Sequence, residues 1–317
     1  MDRLPHRPLG GSGIDVSCLS LGSWRTYERL SREEGLAVMR AAREWGIDFL
    51  DDARYDDETG HAPISTGYSE VVFGELFHAA GWHRDEVTIA NKLWWEFWPD
   101  QSAASELDAS LGRMRLDHVD LIYSAIPPDG LELGELVSAV GALLDAGKAR
   151  CWGVLNWPPP LIADATRIAG ELNLPPPCAA QLAYSLVRRS PVEDPEMVEA
   201  LRDAGASVVA SSVLAGGTLT GKYAEPGAEG RMAASRDDPV WQPAFRAGEE
   251  LRALAVQLGA APASLALGFA LANPAVASVL FGATSPAQID QNLSAVEFLH
   301  RLSGDQLTEL QRVGESA

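Results

Sequence analysis

Some eight short apolar runs, each closing on polar residues and interleaved with helical patterns, constrain this 317-residue chain more than anything else in it. One passes through Leu19 and Leu21; the others read as strands at 47–50, 87–90, 119–123, 149–154, 178–181, 207–210 and 276–280. The runs are continuous rather than alternating. Strands buried on both faces read this way, which favours a parallel sheet covered by helices. Between them, Ser31 with Glu34 forms a capping box before an apolar helical face at Leu36, Val38, Met39 and Ala42. Gly147 and Gly205 close helices as C′ residues, and Pro286 opens one at its first position. A short hairpin around Gly10-Gly11-Ser12-Gly13 precedes the first long strand.

Two architectures accommodate such an order, a closed (β/α)8 barrel and an open doubly wound sheet. No Gly-x-Gly-x-x-Gly opens the first helix, and polar strand ends run the whole length of the chain. The expectation is therefore one α/β domain, a (β/α)8 TIM barrel over residues 1–317 with an N-terminal β-hairpin. No linker and no solenoid-period repeat interrupts it.

Charge narrows the function. A formal net charge of −19 argues against generic binding to nucleic acid or an anionic membrane, but leaves room for an anionic cofactor held by local positive groups. Cys18, Cys151 and Cys178 are odd in number, widely spaced and apolar in context, which suggests reduced structural thiols and a cytoplasmic home. Residues 1–13 carry no apolar signal core. No charge falls between Arg252 and Asp290, but Pro262, Asn273 and Pro274 cut that stretch below the ~20 residues a membrane span needs. A buried helix followed by a buried strand is the expectation there. No metal site is read from the sequence.

The densest chemistry lies in Gly46-Ile-Asp-Phe-Leu-Asp51-Asp52-Ala-Arg54-Tyr55, where an apolar strand ends in acid, base and phenol. The next strand ends in Asn91-Lys92. A lysine at a barrel mouth needs a counter-charge, and Asp51 is the natural one; Tyr55 then lies within reach of Lys92. A phenol beside an ammonium has a lowered pKa and becomes a usable general acid. The alternative is an Asp–Lys pair that merely braces two strands. Directly after Lys92 come Trp94, Trp95, Phe97 and Trp98. They form either a stacking surface for a flat or apolar substrate or a loop packed onto its own helix.

The chain resembles the aldo-keto reductases over nearly its whole length. Gly46 to Ala53 is similar to the family's GINFFDTA, Val87 to Lys92 to its VxIATK, and Asp117 to Leu121 to its DYIDL. Gly153-Val-Leu-Asn156-Trp resembles GVSNF, Gln181 to Leu186 resembles QxEYSL, and Leu219 to Tyr223 resembles LLTGKY. Phe281 to Asn292 resembles IPGAxxPEQLxEN. The resemblance implies an NADP(H)-binding barrel, NADPH favoured over NADH, that moves hydride to a carbonyl with a tyrosine as proton donor. It implies catalytic roles for Asp51, Tyr55 and Lys92 and cofactor contacts from Ser23, Trp24, Asn156, Gln181, Ser211, Leu214, Lys222, Arg231, Gly282, Thr284, Gln288 and Asn292. The helix opened by Pro286 also offers free N–H groups to phosphate. Trp94, Trp95 and Trp98 are the substrate-loop candidates, and a small molecule is the implied partner.

Four positions depart from the pattern. The family tyrosine lies five residues after the aspartate, whereas Tyr55 lies four after Asp51; Tyr68 is a second candidate. The histidine of the family's tetrad aligns with Ala125, which has no donor to offer a carbonyl; such a loss costs on the order of 10²–10³ in rate. Ser124, His61 or a water are the conceivable substitutes, and His118 falls at the wrong end of the barrel. Ser211 stands where an aromatic usually stacks on nicotinamide, and Leu155 where serine precedes Asn156. Three functions remain open: a carbonyl reductase with altered proton chemistry, an NADP(H)-holding protein with little turnover, and an enzyme acting on imines or without reduction.

Overall fold

The structure, a computed structural model, describes residues 4–225 and 227–314. The two ends of the expected 1–317 span, the first three residues of the 1–13 segment, and Pro226 lie outside the described residues.

Strands β1 (His6–Pro8) and β2 (Asp15–Ser17) pair antiparallel. The hairpin thus begins at His6, ahead of the glycines, which form a tight turn between the strands. Eight further strands close into an all-parallel barrel in chain order. They are β3 (Leu19–Gly22), β4 (Phe49–Asp51), β5 (Thr88–Leu93), β6 (Val119–Ser124), β7 (Ala149–Leu155), β8 (Ala179–Ala183), β9 (Ser207–Ser211) and β10 (Val276–Phe281). The expected (β/α)8 barrel is the fold.

Helices return the chain after every barrel strand. Ser31 accepts from the Glu34 amide while Glu34 accepts from the Ser31 amide, so the capping box starts the helix Arg32–Glu44 as its sequence requires. Gly205 takes the left-handed conformation at φ 65° and stops Pro195–Ala204. The uncharged stretch is the buried helix Pro262–Ala272 followed by β10. No single helix among the described residues is long and apolar enough to cross a membrane. One helix, Gly304–Arg312, has a Ser303–Gln306 capping box and comes after the last helix expected from the sequence.

The packing has two layers. Most apolar side chains fill the space between barrel and helices. Inside the barrel a smaller cluster joins Phe49, Ala90, Leu121, Tyr123, Cys151 and Val209 with Leu9, Ile14 and Val16 of the hairpin region. The hairpin therefore plugs one end of the barrel, leaving the C-terminal strand ends as its mouth. All three cysteines are free and buried.

Candidate active site

Strand periodicity places the central pair. Asp51 pairs in register with Ala90, and Lys92 lies two residues further along β5, hence on the same face. The two are diagonal neighbours inside the barrel, close enough for long side chains to meet. Lys92 Nζ donates to Asp51 Oδ1, and each side chain is only 2% exposed. Gln181 Nε2 donates to the other carboxylate oxygen at 2.8 Å. Burial works to strip the lysine of its proton, but the Asp51 carboxylate and then Tyr55 outweigh it, so its pKa stands above the ordinary lysine value.

Tyr55 joins the pair despite its shortened spacing. Its hydroxyl lies 3.1 Å from Lys92 Nζ, and its ring packs edge-on against Trp94 at 6.0 Å between centroids. Tyr68, the rival, begins a helix and has its hydroxyl on Arg32 at 3.1 Å. The expected lowering of the Tyr55 pKa does not hold. Although part of the ring is open at the mouth, burial raises the phenol; Lys92 pulls it down, and Asp51 and Asp52 push it up again, leaving it above the ordinary tyrosine value. The phenol is thus protonated throughout the neutral range.

Arg54, directly before Tyr55, is nearly buried. Its side chain is 6% exposed, donates to Thr66 Oγ1 at 2.9 Å and to Glu96 at 2.6 Å, and lies 5.0 Å from the Phe97 ring centroid. Thr66 bridges Asp56, and the Gly67 amide donates to the Tyr55 carbonyl at 2.8 Å. Arg54 thereby ties the tyrosine loop to the aromatic loop after β5. These contacts were not read from the sequence. For the activity that the resemblance implies, Arg54→Met is expected to lower kcat by about 10–100-fold with dinucleotide affinity unchanged, and Arg54→Lys to recover part of the loss. Steady-state kinetics beside a dinucleotide titration check this.

Behind the pair, Asp52 faces the helices. It accepts from the Ser23 hydroxyl, and its second oxygen has no partner. Burial, followed by the charge of Glu70, pushes its pKa well above the carboxylate range. Glu70 accepts from Asn91 at 2.9 Å and Arg113 at 2.5 Å. These buried polar groups brace β3, β4 and β5 from outside, and the Ser23 hydroxyl donates to that set.

The substrate-loop set divides. Trp94 stays beside Tyr55. Trp95 is buried at 3% exposure, donates through its indole nitrogen to Ser124 at 2.9 Å, and turns the chain at φ 60°. Trp98 packs near Gly130. Trp95 thus packs against β6 and Trp98 beside the loop after β6, while Phe97, 49% exposed, stands under Arg54. Ala125 is half-buried, with its amide on the Leu93 carbonyl at 2.9 Å. Ser124 does not replace the absent histidine, because its hydroxyl is buried between Trp95 and the Ala125 carbonyl. His61 is exposed on the loop, and His118 precedes β6 at the far end.

The remaining candidates lie on the loops after β3, β7, β8, β9 and β10. Asn156 is exposed in the left-handed conformation at φ 52°, and its side-chain oxygen accepts from the Ala183 amide at 3.3 Å. Ser211 ends β9 half-buried, and Leu214 follows, also half-buried. The long connection beyond folds back on itself: a Cβ on Gly230 would sit 2.3 Å from Lys222 Nζ, and the Arg231 guanidinium lies 4.9 Å from the Trp24 ring centroid. Gly282 and Thr284 are exposed, and Gln288 accepts from the Thr284 amide at 2.8 Å; Asn292 is buried one turn further on.

Comparison with known proteins agrees with this geometry. The aldo/keto reductase family model matches residues 18–315. A protein of Oryza sativa subsp. japonica described as a probable voltage-gated potassium channel subunit beta is 30% identical over 328 residues, 99% of this chain and 97% of its own. One so described from Arabidopsis thaliana is 29% identical with the same coverage. A putative voltage-gated potassium channel subunit beta of Schizosaccharomyces pombe is 32% identical over 330 residues, 98% of this chain and 93% of its own. A family match that runs from the first barrel strand through the last helix accounts for the whole barrel, and the chain belongs to the aldo/keto reductase family.

Proposed function

We propose that this protein is an NADP(H)-dependent oxidoreductase that reduces a carbonyl group of a small apolar or aromatic molecule. The observation that carries the reading is one ammonium, Lys92, donating both to a buried carboxylate and to a phenol at the barrel mouth. A purely structural brace needs the first bond and not the second.

The residues suit a dinucleotide. Gly282 is exposed, and a Cβ there would come within 3.0 Å of Thr26 Oγ1, which leaves the backbone open where an added side chain would crowd. Asn156 and Ser211 offer polar groups at the C-terminal ends of β7 and β9, and Lys222 and Arg231 bring two positive charges to the loop after β9. Bound NADPH would supply the hydride. Tyr55 hydrogen-bonds the carbonyl oxygen and gives its proton to the developing alkoxide; Lys92 stabilises the phenolate left behind. Asp51 keeps Lys92 charged, and Gln181 holds the carboxylate in place. Trp94 and the exposed Phe97 give the mouth an apolar side.

Ala125 favours a second reading, a protein that holds the dinucleotide with little turnover. Relatives named as potassium channel subunits make a role in binding a partner protein compatible with it. Ala125→His separates the two: for a reductase it is expected to raise ketone turnover by roughly 10-fold or more, since an oriented donor is worth 10²–10³ at best. The primary experiment is dinucleotide titration followed by NADPH consumption over aldehydes, ketones and imines. Binding with reduction of aromatic aldehydes supports the proposal. Failure to bind either dinucleotide at millimolar concentration overturns it, and binding without turnover of any substrate favours the second reading.

A further inference from the structure

The turn after β5 is tied down from behind by one acid. Glu106, buried in the first turn of the helix Ala103–Met114, accepts from the Trp94 amide through Oε1 at 2.8 Å and from the Trp95 amide through Oε2 at 3.2 Å. It does not serve as the helix cap, because the Ser102 hydroxyl already accepts from the Ser105 amide at 3.2 Å. Both carboxylate oxygens turn back onto consecutive amides of the loop instead, and charge-assisted bonds of this kind are the stronger ones. They hold a turn in which Trp95, not a glycine, takes the left-handed region at φ 60°.

What the turn presents is Trp94. The residue is half-buried, and its ring meets Tyr55 edge-on at 6.0 Å between centroids, yet its own indole nitrogen has no hydrogen-bond partner. Trp95, by contrast, is fixed through its indole on Ser124. The direction of the Trp94 ring therefore depends on the backbone beneath it, and that backbone is held by Glu106. Arg54 Nη2 lies 3.9 Å from Glu106 Oε1 and also pairs with Glu96 at 2.6 Å, so neutralising Glu106 leaves no orphaned cation. We propose that Glu106 is a positioning residue that sets substrate choice: it holds the Trp94 ring beside Tyr55 as a wall for carbonyl compounds that carry an aromatic ring. An aromatic substrate gains from stacked or edge-to-face contact with the indole, and a straight-chain one gains little. The carbonyl rests on the reductase reading; the wall and its anchor do not.

Glu106→Gln keeps the shape, removes the charge and turns an N–H donor toward one of the two amides. Hydrogen exchange of the full chain, read on the peptide spanning residues 93–98, is expected to quicken about 10-fold or more with the rest of the barrel unchanged, and Glu106→Asp to recover part of the protection. With NADPH, kcat/KM for benzaldehyde is expected to fall about 10-fold in Glu106→Gln, chiefly through KM, while hexanal stays within about two-fold and dinucleotide affinity is unchanged. Equilibrium dialysis of 4-hydroxybenzaldehyde, which needs no turnover, should show the same loss and the same partial recovery in Glu106→Asp. Unchanged exchange overturns the anchor. An equal fall for both aldehydes reduces Glu106 to a brace of the fold and overturns its part in substrate choice. A wild type that binds 4-hydroxybenzaldehyde, loses it in Glu106→Gln and reduces neither aldehyde overturns the reductase reading and leaves the wall standing. A wild type that does not bind it overturns the wall.

Discussion

Tyr55→Phe is expected to lower carbonyl reduction by about 10²–10⁴-fold while leaving dinucleotide affinity and thermal stability near wild type. The substitution removes one hydroxyl whose bond to Lys92 is 3.1 Å long, and it keeps the ring that packs on Trp94. Lys92 retains Asp51, so no buried charge is orphaned. The loss should fall on kcat, since the proton is transferred in the transition state rather than at binding. Single-turnover reduction of an aromatic aldehyde measures it. Full activity in this variant would remove Tyr55 from the mechanism, whatever its position beside Lys92.

Asp51→Leu carries the second large effect, on folding as well as activity. It leaves the Lys92 ammonium buried with no carboxylate, and breaking a buried pair in this way costs about 3–5 kcal/mol. Denaturant unfolding should show the loss in Asp51→Leu and its recovery in the double variant Asp51→Leu/Lys92→Met, in which neither charge remains; reduction should stay absent in both. The pH dependence follows from the raised pKa values of Lys92 and Tyr55. Each group binds its proton more tightly folded than unfolded, so its contribution is fully present below about pH 10 and is lost as pH rises through the folded value. Wild type should therefore lose stability on the alkaline side. The Lys92 share of that slope should reverse sign in Asp51→Leu, because burial, the largest influence on the lysine, then lowers its pKa with no carboxylate to oppose it.

The contrast between Lys92 and Trp95 shows what was legible in the sequence. Lys92 was readable because β periodicity alone fixes its face and its neighbour on β4. Trp95 was not, because its direction depends on a turn at φ 60° and on a bond to Ser124 that no local pattern announces. Capping boxes and C′ glycines marked helix ends closely, as at Ser31 and Gly205. The same signal, Ser303 with Gln306, marks the helix Gly304–Arg312, which lies beyond the barrel pattern. Tyr55 departs from the family's spacing yet meets Lys92, and the loop contacts beside it run through Arg54, whose partners Thr66 and Glu96 lie 12 and 42 residues away. The Tyr55 pKa went the other way from expectation because burial and two carboxylates outweigh one ammonium.

The most direct test of a protonated Tyr55 held by Lys92 as the working acid is the pH profile of kcat for NADPH-dependent reduction of an aromatic aldehyde. With the phenol above its ordinary value, kcat should stay level from about pH 6 to about pH 9 and fall only on the alkaline side, and Tyr55→Phe should lack that alkaline limb. A limb that falls near neutral pH, or one that persists unchanged in Tyr55→Phe, would contradict the account.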